Sequence, residues 1–175
     1  VKVWKDGSKS SAKVVTGNAE SISAENWQGK SYSAANKVNI ADYFEENTQY
    51  HYQYTDNYTG DDSVWSAEYD YTTKATDKFS VILTGDPQVG ASGSSSDKSA
   101  NDASVARDAY NWNKTMQQAL KTCPDASFLL SAGDQINQSG AAKDDDKKTR
   151  ESEYAGYLYP SVFRSLPTVS YTHLR

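Results

Sequence analysis

The chain has 175 residues, a net charge of -5 and a mean hydropathy of -0.80. That length suits one ordinary domain or two small ones, and the absence of any Lys/Arg stripe argues against a nucleic-acid partner. No apolar run approaches the ~20 residues of a membrane helix, and a single cysteine, Cys123, excludes an internal disulfide.

Thirteen Tyr and four Trp allow a core built from amphipathic rings rather than from Leu and Ile. Near the start, Val1, Val3 and Trp4 precede Asp6-Gly7, a hairpin-type dipeptide. Tyr50, Tyr52 and Tyr54 alternate with His51 and Gln53, the period of a strand with one buried face. This pattern points His51 to solvent and makes Tyr50 a candidate tyrosine corner. After a polar turn over 57–62, a second strand is expected from Trp65-Ser66 through Tyr69 and Tyr71 to Thr73. Short aromatic strands around polar turns indicate antiparallel β structure.

Composition changes near Lys78. Phe79 to Thr84 is a near-continuous apolar run, as expected of a strand buried on both faces. It ends at Gly85-Asp86-Pro87-Gln88, and a Ser/Gly/Asp-rich loop follows from Ala91 to about Ala100. Val105, Ala109, Trp112, Met116 and Leu120 fall on one helical face, with Asn101 or Asp102 as the expected cap and Pro124 beyond the end. Cys123 at that end is expected to be an inert buried thiol. Ser127 to Ala132 reads as a second buried strand, ending at Gly133-Asp134. A charged loop over 143–150 leads to an amphipathic stretch from Tyr154 to Leu166. Strand, helix, strand within about 55 residues is a βαβ unit, which builds parallel sheets.

The same event thus happens twice: a buried strand ends, Gly turns the chain, and Asp follows. In open α/β sheets ligands bind beyond the carboxyl ends of the strands. Adjacent strands lie about 5 Å apart, so Asp86 and Asp134 would repel unless a proton or a cation sits between them. A hard divalent cation held by carboxylate oxygens resolves this. Each Gly-Asp pair by itself also fits plain turn chemistry. The pair together also fits a Mg-dependent phosphotransferase with Asp86 as nucleophile.

Phe79 to Gln88 resembles the first block of the calcineurin-like metallophosphoesterases, Asp-x-His/Gln. Leu129 to Asn137 resembles their second, Gly-Asp-x-x-Asp/Asn/Tyr. The Tyr-rich segment, with Thr48-Gln49-Tyr50-His51-Tyr52 and Trp65-Ser66, is similar to the fibronectin III-like N-terminal domain of purple acid phosphatase-type proteins. The fold this implies is an incomplete fibronectin III-like β-sandwich at 1–76, followed by an incomplete α/β metallophosphoesterase domain at 77–167. Segment 168–175 resembles translated sequencing adapter and is expected to be a non-native tail, so His173 is not a ligand.

The resemblance implies a centre of two divalent ions (Mn, Fe, Zn or Mg) that hydrolyses a phosphate mono- or diester. Asp86 and Gln88 would serve the first ion and Asp134 would bridge the two. Asn137 would sit in the second shell, where a Tyr would ligate ferric iron, which argues against a purple Fe(III) centre. The third block, Gly-Asn-His-Asp/Glu, does not occur, so the segment is expected to be an inactive C-terminally truncated fragment. A secreted or cell-surface location follows from the accessory-domain resemblance alone. The competing reading is a cell-surface adhesion module with a degenerate phosphoesterase domain.

Overall fold

The computed structural model describes residues 1–93, 97–138 and 144–171. They contain several β-sheets and two α-helices, and they divide into two compact units. The first comprises Val1–Ser21 and Ala34–Phe79, the second Ile22–Ser33 and Ser80–Arg175. Among the described residues no helix is long and apolar enough to cross a membrane.

In the first unit, β1 (Lys2–Lys5) is followed by β2 (Lys13–Val14), which pairs back on it antiparallel. Asp6-Gly7 turns the chain, with Gly7 at φ +72°, but a 3-10 turn at Lys9–Ser11 lengthens the connection beyond a two-residue hairpin. Next in the chain come β3 (Asn18–Glu25) and β4 (Ser31–Lys37), which pair only with each other and whose Ile22–Ser33 portion belongs to the second unit. Their Ser/Ala/Asn-rich sequence lacks the apolar alternation that announces a strand, and most of their residues are exposed. Then β5 (Gln49–Gln53) and β6 (Tyr69–Thr72) complete an antiparallel sheet of order β2-β1-β5-β6. Of the expected sandwich, the described residues therefore contain one four-stranded sheet and a separate hairpin.

Alternation holds on this sheet. Val3 and Tyr50 are buried on one face, where Phe44 lies 4.7 Å from the Tyr50 ring and 5.3 Å from Tyr71. The Tyr50 hydroxyl accepts the Glu45 backbone N–H at 2.8 Å, five residues upstream, which is the bond a tyrosine corner makes. Tyr54, expected to continue the buried face, is instead half exposed just past β5. The expected strand start at Trp65-Ser66 is also displaced. Ser66 Oγ and carbonyl accept from Tyr54 N–H and the Gln53 amide, and Ser66 N–H donates to the Tyr54 carbonyl at 2.9 Å, while β6 begins only at Tyr69.

On the opposite face, cross-strand register lines up Trp4, His51 and Asp70. The His51 side chain is only 14% exposed, not solvated as the alternation suggests. Its Nδ1 lies 2.7 Å from Asp70 Oδ1, its Nε2 lies 3.0 Å from Asp6 Oδ1, and Trp4 stacks on its ring. With Glu68 Oε1 also 3.4 Å from Nδ1, three carboxylates face the two ring nitrogens and favour the imidazolium, which donates from both. The bond to Asp6 chiefly, then that to Asp70, raises the His51 pKa above its ordinary 6.5, against the opposing effect of burial. The bond to His51 lowers that of Asp6 below 3.8. The His contribution to stability is thus complete below about pH 6.5 and is lost as pH rises through the raised folded value. The Asp6 contribution is present above its unfolded value and disappears as acid titrates it. We expect the urea midpoint of this unit to fall between pH 6 and pH 9, and His51→Gln to flatten that fall. An equally steep profile in the variant would assign the pH dependence elsewhere.

In the second unit, β7 (Val81–Gly85), β8 (Phe128–Ala132) and β9 (Thr168–Tyr171) form a parallel sheet in chain order. Ile82 pairs with Leu129 and Thr84 with Ser131. Thr168–Tyr171, the first half of the segment read as a tail, pairs with Leu129–Ala132; 172–175 lie outside the described residues. Between the strands run α1 (Lys98–Thr122) and α2 (Asp144–Tyr157).

The α1 stripe holds as expected: Val105, Ala109, Trp112 and Met116 are buried, and Leu120 packs against the same core with Leu129, Ile136, Tyr157 and Leu166. Cys123 is half-buried and packs there too. The helix starts earlier than predicted. Asp97 caps it, accepting the Ala100 N–H at 2.9 Å, while Asn101 is buried inside the first turns and Asp102 accepts from the Ser152 hydroxyl. Ser94-Ser95-Ser96 of the expected loop lie outside the described residues. The charged segment expected to be a loop becomes helical from Asp144, consistent with acidic residues favouring a helix N-terminus.

One expectation fails on the sheet itself. The apolar run before Gly85 is covered on one side only: Val81 is 37%, Phe79 59% and Leu83 68% exposed. Ile82 and Thr84 face the helices, and their neighbours face out.

Candidate functional site

The two Gly-Asp endings come together as the βαβ reading requires. β7 and β8 are adjacent and parallel, with Gly85 paired to Ala132, so Asp86 and Asp134 emerge at the same sheet edge. Beyond the strands the two chains keep pairing. Gln88 N–H donates to the Asp134 carbonyl at 3.0 Å, Val89 N–H to Gln135 at 3.1 Å, and Asn137 N–H to Val89 at 3.1 Å. Val89 and Ile136 bridge in parallel and both sink into the core. Val89, directly after Gln88, and Ile136, two residues after Asp134, therefore anchor the segments that carry these exposed polar residues.

The backbone here is unusual for L residues. Asp86 has φ +35° and Gln88 φ +40°, on either side of Pro87. Positive φ is uncommon outside Gly, less so at Asp than at Gln, and where it persists it costs of order 1–3 kcal/mol and concentrates at functional sites. Gly133, at φ +103°, makes the arrangement possible. A Cβ there would collide with Asp86 Oδ1. Because position 133 has no side chain, the Asp86 carboxylate lies across it and accepts the Asp134 N–H at 3.0 Å.

Asp86, Gln88 and Asp134 are all exposed, and Asn137 is half-buried. The three expected ligands thus share one open edge. A hollow of about 620 Å³ opens elsewhere, between Ile82 and the Lys114–Thr122 flank of α1. Carboxylate and amide oxygens are hard donors, suited to Mg or Mn more than to thiophilic ions. Among the described residues no group of three or more His, Cys, Asp or Glu is arranged to hold a metal. The donor chemistry fits one hard cation with water completing its shell, and falls short of a full ligand set for two.

Behind this edge lies a residue that the sequence reading passed over. Glu153, on α2, is completely buried, and its Oε2 accepts the Gln138 N–H at 2.7 Å. Burial, opposed by the backbone N–H groups of Gln138 and Asn137, pushes its pKa up to about 7. The signal was present: Thr149, Ser152, Glu153, Gly156 and Tyr157 are buried at helical spacing. Three polar residues and a glycine do not read as a core stripe, which is why periodicity of apolar residues missed it. No family model, curated protein or solved structure matches the chain.

Proposed function

We propose that this chain carries the opening half of a divalent-metal phosphoesterase centre. In this reading Asp86 and Gln88 serve one ion, Asp134 serves that ion and a second, and Asn137 stands behind them. The observation that carries the reading is the paired strand ends: two carboxylates on adjacent parallel strands, with Asp86 and Gln88 held at positive φ. Strain of this kind is retained where the surroundings over-determine it, and it aims side chains that relaxed backbone would not. Divalent Mn, Fe, Zn or Mg bound there supplies Lewis acidity and a nucleophile at neutral pH. The chain itself contributes orientation: Gly133 makes room for Asp86, and the Asp134 N–H fixes which carboxylate oxygen stays free.

The substrate class proposed is a phosphate mono- or diester. The net charge of -5 offers such an anion no attraction, so the ions must provide it. The same reading makes the four-stranded sheet part of a fibronectin III-like accessory domain, with Tyr50 as its tyrosine corner, and the second unit part of a metallophosphoesterase domain. It places the protein outside the cell or on its surface. Remaining ligands would have to come from outside the described residues.

A second reading, an adhesion module, is favoured by the aromatic surface of the first unit, where Tyr54 and Tyr58 are about half exposed. Manganese titration separates the two. We expect saturable Mn²⁺ binding at one equivalent, followed by electron paramagnetic resonance of the free ion, and its loss in Asp86→Asn and Asp134→Asn. A chain that leaves Mn²⁺ free at millimolar concentration would remove the metal reading and leave the adhesion module.

A further inference from the structure

We propose that Glu153 is a positioning residue for this site: its buried carboxylate, wedged between Gly90 and the backbone of Gln138, locks together the two loops that present Asp86, Gln88 and Asp134. The inference rests on the metal reading above and names what holds that site in shape.

Three contacts define the wedge. The carboxylate accepts the Gln138 N–H, four residues past Asp134. Its other side lies so close to Gly90, two residues past Gln88, that a Cβ there would meet Glu153 Oε1 at 2.5 Å and Cγ at 2.8 Å. Gly156, one turn further along α2, lets that helix approach Val89 and Val105, since a Cβ there would meet their methyl groups at 2.8 and 2.7 Å. Gly90 is also held from α1, because its N–H and that of Ser92 donate to the Asp108 carboxylate at 2.9 and 3.2 Å. Each loop leaving the sheet is therefore tied down one or two residues beyond the Val89–Ile136 bridge, and Glu153 is the one of these side chains that touches both.

Space-filling alone does not account for an acid here. Burying a carboxylate is costly, and its Oε1 has no hydrogen-bond partner among the described residues. An apolar side chain of similar volume would fill the space without that cost, but would leave the Gln138 N–H unsatisfied. Its hydrogen-bond role needs an acceptor oxygen rather than a charge. The amide of glutamine supplies the same acceptor at the same reach.

The test measures the Mn²⁺ dissociation constant of the whole 175-residue chain by paramagnetic resonance, below the melting temperature of each variant. Glu153→Ala is expected to weaken binding by about tenfold or more, the range seen when supports of metal ligands are removed. Glu153→Gln is expected to bind close to the wild type. Gly90→Ala, which fills the other side of the same contact, is expected to behave like Glu153→Ala. A role in stability alone would lower the melting temperature of Glu153→Ala without changing the affinity of the folded protein, and that result would overturn the inference. Should Glu153→Ala fail to fold, Glu153→Asp answers the same question, because it withdraws the oxygen by one methylene while keeping the site filled; wild-type affinity in that variant also overturns it. Absence of Mn²⁺ binding by the wild-type chain is a different result, which removes the metal reading and this inference together.

Discussion

Replacing Trp112 by alanine is expected to unfold the α1–α2 unit at room temperature, read as loss of helical circular dichroism. Trp112 is 8% exposed and sits at the middle of α1. Its ring stacks on Tyr157 at 5.9 Å and meets Phe163 edge-on at 6.5 Å, while Nε1 donates to the Tyr157 carbonyl at 3.0 Å. One side chain thus joins α1 to the end of α2 and to the 3-10 turn at Ser161–Arg164. Truncating a buried Trp costs about 3–5 kcal/mol, and losing the Nε1 hydrogen bond adds about 0.5–1.5 kcal/mol. Whole domains are stable by only about 5–15 kcal/mol, and a unit with one sheet face uncovered belongs at the low end. Trp112→Phe keeps the ring and loses the N–H, so it should stay folded with a reduced urea midpoint. An alanine variant melting within a few degrees of the wild type would show that the core is not organised around this residue.

Gly133→Ala should leave the fold standing and destroy the site. The added methyl would collide with Asp86 Oδ1 and meet Asp86 N at 3.2 Å. The Asp86 side chain can swing away, so the clash is relieved by surrendering its bond to the Asp134 N–H. Placing alanine at φ +103° adds of order 1–3 kcal/mol of strain. The expected result is a modest drop in stability with complete loss of Mn²⁺ binding. Gly29→Ala is the matched control: φ is +76° there too, but nothing lies within 4 Å of the added carbon. It should show the strain penalty and keep its manganese. Equal Mn²⁺ affinity in both variants would dissociate Gly133 from the site.

The parts of this molecule that were legible in the sequence are those where one physical rule dominates. The apolar stripe from Val105 to Met116 could only be a helix face, and two apolar runs flanking it could only pair in parallel. That pairing alone brings Asp86 and Asp134 to one edge. Other features depend on partners that no local pattern reveals. The cap of α1 went to Asp97 rather than to Asn101 or Asp102 because those two are drawn inward by packing and by Ser152. Alternation correctly put His51 opposite Tyr50, but not beside Asp6, which arrives from a turn forty-five residues earlier. Phe79 to Thr84 is apolar enough for a strand covered twice, and composition cannot say whether the second cover lies within reach. Glu153 hid in a polar stripe for the same reason: its value is the contact it makes, not its hydropathy.

The order of the parallel sheet has a bearing on how the second unit is assembled. β7, β8 and β9 lie side by side in the sequence in which they leave the ribosome. Each pairing closes a single crossover, so no strand must wait for a later one to be inserted between it and its neighbour. Loop-closure entropy is then met in two successive steps rather than all at once. The edge bearing Asp86 and Asp134 exists as soon as β8 docks on β7, and α2, with Glu153, and β9 are added against that edge afterwards.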